Sequence, residues 1–158
     1  MITGSDKTLD GRWSYVTIQG KENTKLTMIT GYRVSQDHNT HGVNTAYQQQ
    51  RSLQRDRGIE KPDPRREFFK GLKTFVREKR ASGHSVILMM DANEGLFEPK
   101  SQVRAFFQDT EVVDIIGHLH GYENEPPTYK RGNKRIDYIA VSPDLVEHVK
   151  RAGIASFG

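Results

Sequence analysis

The segment that most restricts the fold is Val86-Ile87-Leu88-Met89-Met90, an unbroken aliphatic run that begins shortly after Gly83 and stops at the polar Asp91-Ala92-Asn93-Glu94. It is far shorter than the roughly 20 residues a bilayer span needs. Its lack of polar alternation suits a strand buried on both faces, in the middle of a sheet with other layers around it. Such a strand delivers Asp91 to the end of the sheet.

The neighbouring patterns extend this picture. Residues 13–18 and 25–30 are rich in aromatic and β-branched side chains on either side of a polar stretch, which is a hairpin signature. Residues 33–64 are polar, include three consecutive glutamines and show little apolar periodicity, so we expect a functional loop with one helix near 45–55. Pro64 opens an amphipathic helix with Phe68, Leu72, Phe75 and Val76 on one face, and Gly83 stops it. A second helix is expected over 100–108, burying Val103, Phe106 and Phe107, and a second buried strand over 135–141. Ser142-Pro143-Asp144 then reads as N-cap, first-turn proline and first-turn acid, launching a helix with Leu145, Val146 and Val149 inward. Gly153 ends that helix, and a further strand begins at Ile154.

This order of elements indicates an α/β fold with a mixed, largely antiparallel sheet covered by helices. Residues 1–12 read as a poorly ordered N-terminal extension and 13–158 as a single domain. An apolar fraction of 34% beside 28% charged residues predicts a lean core. The absence of cysteine excludes disulfide scaffolds, thiolate metal sites and cysteine nucleophiles, leaving oxygen and nitrogen groups for any chemistry. No apolar segment is long enough for a membrane, and the first residues lack an export pattern, so we expect an intracellular protein of undetermined compartment. The net charge is +4, but residues 51–80 hold eleven Lys/Arg against five acids, a net of +6. That segment either meets a phosphate backbone or is a solvated helix face.

Asp91 and Asn93 place a carboxylate and a carboxamide at the end of a buried strand. Together they either orient water, bind a divalent metal and contact a phosphoryl oxygen, or form an Asx-type turn. Asp137 sits in an otherwise apolar run, where an ionised carboxylate needs a partner. That partner is either Arg135, two residues earlier on the same strand face, or a catalytic or metal-site network. Residues 128–135 supply Lys130, Arg131, Lys134 and Arg135 around Gly132, suited to gripping phosphate or to a solvated turn. Tyr32 offers a hydroxyl at a strand end, where tyrosine also serves packing. The pairs His38/His41 and His118/His120 have spacings compatible with a metal, with no third ligand nearby in sequence.

Taken in order, Gly31-Tyr32-Arg33-Val34, Met90-Asp91-Ala92-Asn93-Glu94, Thr128-Tyr129 and Arg135-Ile136-Asp137-Tyr138 resemble motifs of the endonuclease/exonuclease/phosphatase superfamily, in particular its retroelement-type endonuclease-like branch. The sequence departs from the family pattern at Met90, where the family has glycine, at Ala92, where it has an aromatic residue, and at Val34, where it has proline. The resemblance implies part of a four-layer α/β sandwich and a metal-dependent phosphodiesterase or nuclease-type hydrolase acting on nucleic acid, DNA in preference to RNA, by water attack on phosphorus. It implies catalytic roles for Asp91 (positioning water), Asn93 (scissile phosphate), Tyr32 (a phosphate oxygen) and Asp137 (supporting the family's histidine). Substrate contacts fall to Arg33, Asn93, Tyr129, Lys130, Arg131 and Arg135. Mg²⁺ or Mn²⁺ falls to Asp91, with Glu94 as a substitute ligand. The chain matches about the C-terminal two thirds of a family domain, without the N-terminal metal-binding Glu and the C-terminal His elements. From this follow an incomplete domain, pairing of two copies to complete the fold, and the alternative of a non-catalytic nucleic-acid-binding or self-associating remnant.

Overall fold

The computed structural model describes residues 1–8, 12–37, 45–124, 126–128 and 132–155. Its strands are β1 (Ile2–Lys7), β2 (Trp13–Gln19), β3 (Lys25–Tyr32), β4 (His84–Asp91), β5 (Val113–Asp114) and β6 (Asp137–Val141). Its α-helices are α1 (Ala46–Asp56), α2 (Pro64–Ala81), α3 (Gln102–Thr110) and α4 (Ile115–His120). The strands form one six-stranded sheet in the order β1-β2-β3-β4-β6-β5. Only the β3–β4 pair is parallel, so the sheet is mixed and largely antiparallel as expected. The parallel pair exists because the chain leaves β3, crosses through α1 and α2, and returns along β4, as a helical crossover requires.

The crossover is specified locally. Asp63 caps α2 by accepting the Arg66 N–H at 3.1 Å, and Pro64 occupies the first turn, where its missing N–H has no intrahelical role. Gly83, at φ +77°, turns the chain out of the helix and into β4. The face of α2 carrying Phe68, Leu72 and Val76 packs on Ile29 of β3 and on Val86, Leu88 and Met90 of β4. Beside α2, on the same face of the sheet, α3 contributes Val103 and Phe106. Each of these buried side chains stabilises the fold by about 1.5–3 kcal/mol relative to its exposed state.

The structure corrects four expectations. Burial along β4 alternates: Val86, Leu88 and Met90 are buried while Ser85, Ile87, Met89 and Asp91 are half-buried. The reason is that α2 and α3 cover one face of the sheet only, and among the described residues α4 alone meets the other face, at β6. Val16, Ile18, Leu26, Met28 and Ile139 share that open face with Ile87 and Met89. Asp137 and Ile139 of β6 are likewise exposed rather than buried. Residues 2–7, read as an extension, instead pair with β2 as an edge strand held by backbone hydrogen bonds, its side chains too exposed to leave a hydrophobic signal. Lastly, Pro143–His148 is a 3-10 turn without a buried residue; of the strand expected from Ile154, residues 156–158 lie outside the described residues.

Candidate active site

Strand register assembles the site. Tyr32 on β3 lies beside Asp91 on β4, and Asp91 lies opposite Asp137 on β6. Paired residues project to the same face, so a hydroxyl and two carboxylates form a row on the open side of the sheet. A cleft of about 550 Å³ opens there, lined by Asp91, Asp137, Thr128, Ile139 and Ile116 among others. Asn93 follows in a left-handed conformation, φ 48°. Its N–H donates to Asp91 Oδ1 at 2.9 Å, its side-chain amide donates to the Arg33 carbonyl at 2.7 Å, and its Oδ1 accepts the Ser35 hydroxyl at 3.2 Å. The Asx-type turn is therefore real, and it holds Asn93 against the exit of β3 beside Asp91, which lines the cleft.

Burial is the main cause that raises the Asp91 carboxyl above the ordinary 3.8. The Asn93 N–H opposes it, the Asp137 carboxylate adds to it, and Arg65 opposes it. The Asp137 side chain makes no hydrogen bond or ion pair with a described residue and is exposed, which removes the burial penalty expected for a carboxylate inside an apolar strand. The backbone N–H groups of Ile136 and Asp137 donate to Thr128 Oγ1 at 3.0 and 3.2 Å, so Thr128 sets the entry into β6. Sequence reasoning gave Thr128 no role of its own.

Three expected site residues point away from the cleft. Arg33 is 1% exposed and forms a short ion pair with Glu94. It also donates to the Ala92 and Arg65 carbonyls at 3.2 and 3.1 Å and lies over the Phe69 ring at 4.8 Å. Burial, then the nearby Arg65 charge, disfavours its charged form, and Glu94 offsets both. The Glu94 carboxylate is engaged by the protein's own donors. Its second oxygen accepts the Gln102 and Val103 N–H groups at the start of α3, while Arg65 reaches the first at 3.3 Å. Arg135, also 1% exposed, forks onto Asp114 at 2.8 and 2.5 Å instead of pairing with Asp137. Arg33 alternates with Tyr32 at the exit of β3, whereas Glu94 and Arg135 lie outside the strands and are held inward by their buried partners, Arg33 and Asp114. Arg65, unnoticed in sequence, also donates to the Val34 carbonyl at 2.6 Å and the Asn93 carbonyl at 3.1 Å, joining both loops that carry the site.

Tyr129, Lys130, Arg131, His38 and His41 lie outside the described residues. His118 and His120, two apart on α4, do not face one another, and His120 bonds the Ala152 carbonyl at 2.7 Å. Much of the basic 51–80 segment is used in packing: Arg77 and Arg80 donate to the Asp109 and Thr110 carbonyls at the end of α3, and Lys73 pairs with Asp109. Among the described residues no three His, Asp or Glu side chains gather as a metal cage. The Asp91–Asp137 pair nonetheless fits Mg²⁺ or Mn²⁺, since such ions keep several waters and are commonly held by one or two carboxylates.

Solved structures share this arrangement of strands and helices. The catalytic domain of human nocturnin, solved with bound sulfate, superposes with a TM-score of 0.53 at 12% identity, over 90% of this chain and 48% of that one. The 3′ phosphatase NExo from Neisseria, bound to a product DNA hairpin, gives 0.55 at 19% identity, over 93% of this chain and 61% of that one. The 3′-5′ exonuclease NExo from Neisseria meningitidis gives 0.54 at 20% identity. At these identities the likeness is one of fold: this chain shares the α/β architecture of these three structures. The chain spans 48% to 61% of the length of nocturnin and the DNA-bound NExo. No family model and no curated protein matches the sequence itself. No helix among the described residues is long and apolar enough to cross a membrane.

Two outcomes test this arrangement. Removing the buried charge with Glu94→Gln leaves Arg33 without its counterion and destabilises the protein by about 3–5 kcal/mol in urea unfolding, whereas an exposed metal ligand would cost little. Carbon-13 titration places the Asp91 carboxyl above 3.8, and Asp137→Asn lowers it by removing the like charge. A raised folded-state value means the folded protein binds this proton more tightly than the unfolded chain. The group's contribution to stability therefore declines as pH rises through that value, and Asp91→Asn raises Tm at neutral pH but not at pH below the ordinary value.

Proposed function

We propose that this chain carries the phosphoryl-transfer site of a metal-dependent phosphodiesterase that cleaves nucleic acid, DNA in preference to RNA, by water attack on phosphorus. The observation that carries the reading is the row Tyr32–Asp91–Asp137 on the open face, with Asn93 locked beside it, in this fold. Asp91 orients the attacking water and accepts its proton, a role favoured by a carboxyl raised above its ordinary value. Asn93, tethered to the β3 exit, contacts the scissile phosphate, and Tyr32 donates to a phosphate oxygen. Asp137 faces Asp91 and with it would hold Mg²⁺ or Mn²⁺; a bound ion there supplies Lewis-acid stabilisation of charge on phosphorus. The DNA hairpin bound to NExo supports nucleic acid as the substrate class.

Cleavage of plasmid DNA, single-stranded DNA, RNA and bis(p-nitrophenyl) phosphate, with Mg²⁺, Mn²⁺ or EDTA, tests it. Asp91→Asn and Asn93→Ala each lower the metal-dependent rate by at least about a hundredfold. Equal activity in wild type and Asp91→Asn overturns the assignment.

One observation favours a second, non-catalytic reading, in which two copies associate and bind nucleic acid without turnover: apolar residues of β2, β3, β4 and β6 line a sheet face that, among the described residues, α2 and α3 leave uncovered and α4 meets only at β6. Exposed faces of this kind drive association. Light scattering then gives a concentration-dependent mass above 18.1 kDa, and Ile139→Lys returns the monomer with an unchanged circular-dichroism spectrum.

A further inference from the structure

An exposed aromatic pair near the proposed site has no role in the chemistry above. Among the described residues, the exposed aromatic side chains are Tyr32, Phe97 and Tyr122. All three follow elements running toward the Asp91 end of the sheet: β3, β4, and β5 with its continuation α4. Tyr32 belongs to the site row. Phe97, 58% exposed, meets Tyr122 in a T-shaped contact with ring centroids 6.0 Å apart.

The pair is held in place. A Cβ at Gly117 would stand 2.1 Å from Tyr122 Cε1, so the ring seats on α4 only because position 117 has no side chain. The loop carrying Phe97 is closed by Glu98, whose carboxylate accepts the Gly95 N–H at 2.9 Å and pairs with Lys134 at 3.1 Å. The Gly95 N–H first, and then Lys134, hold that carboxyl below its ordinary range against partial burial. A cleft of about 330 Å³ opens between this loop and residues 133–135, with Phe97 on one side and Lys134 on the other.

A rigid exposed ring beside a cation, four residues beyond Asn93, combines the two elements that hold single strands: aromatic faces for bases and positive charge for the backbone. An intact duplex offers no free base face, since its bases stack on one another. We propose that Phe97, backed by Tyr122, stacks an unpaired nucleobase adjacent to the scissile phosphate and gives the protein a preference for single strands or frayed ends over closed duplex. The proposal rests on the nuclease reading for its substrate, but its test needs no turnover.

Fluorescence titration of a short single strand carrying 2-aminopurine, without divalent ion, measures stacking as quenching and affinity as the midpoint. Wild type quenches the probe. Phe97→Ala abolishes the quench and weakens single-strand binding about tenfold, duplex binding changes less than about twofold, and Phe97→Trp restores both signals. Equal weakening of single strand and duplex, unchanged single-strand affinity, or no oligonucleotide binding by wild type overturns the proposal. A failure of the Asp91 cleavage assay with the quench intact removes the nuclease reading and leaves the stacking surface standing.

Discussion

The carboxylate of Glu94 is shared by parts of the chain that have no other strong reason to meet. Arg33 arrives from the exit of β3, Arg65 from the first turn of α2, and two backbone N–H groups from the start of α3. A charge buried this deeply is tolerable only when its partners are all present, since loss of one leaves another uncompensated. The arrangement therefore ties the β3 exit, the β4 exit and the starts of α2 and α3 into one geometry. Asn93 is adjacent in sequence and donates to the Arg33 carbonyl, so the placement of the proposed catalytic groups follows from the clamp. Tyr138 extends it toward β6, its hydroxyl lying 3.0 Å from the Glu94 and Arg135 carbonyls.

Arg135 and Asp114 repeat the logic at the other side of the sheet. Asp114 also accepts the Gly117 N–H and so caps α4 while it neutralises Arg135. These clamps take up two motif arginines and one motif carboxylate, leaving Tyr32, Asp91 and Asp137 on the opposite face. The polar groups of the motif region thus divide into an interior set that holds the strand ends and an outer set available for chemistry. Phosphate contact by the interior arginines would require dismantling the structure that aligns the strands.

The two faces of the sheet explain why β4 reads as uniformly apolar. Val86, Leu88 and Met90 pack under α2 and α3, while Ile87 and Met89 stand on the open face. Periodicity detected that both faces are apolar but not whether a layer covers each. Capping residues, a first-turn proline and a helical stripe made α2 legible, and the β-branched pairs made the β2–β3 hairpin legible. β1 and the turn at 143–148 were misread for a common reason: their side chains are mostly exposed, so packing leaves little trace in the residue pattern.

By itself the sequence determined the order of most elements, the identity of the apolar stripe on α2, and the presence of Asp91 and Asn93 at the end of β4, because these depend on spacing along one chain segment. Tertiary structure alone decided which way each charged group faces. Arg33 and Tyr32 are neighbours in sequence, as are Asn93 and Glu94, yet one of each pair enters the site and the other the interior. Alternation separates neighbours, but only the register across β3, β4 and β6 sets which side meets Asp137 and which meets the helices. That choice rests on distant partners, Arg65 and Asp114 above all, whose approach no local pattern encodes.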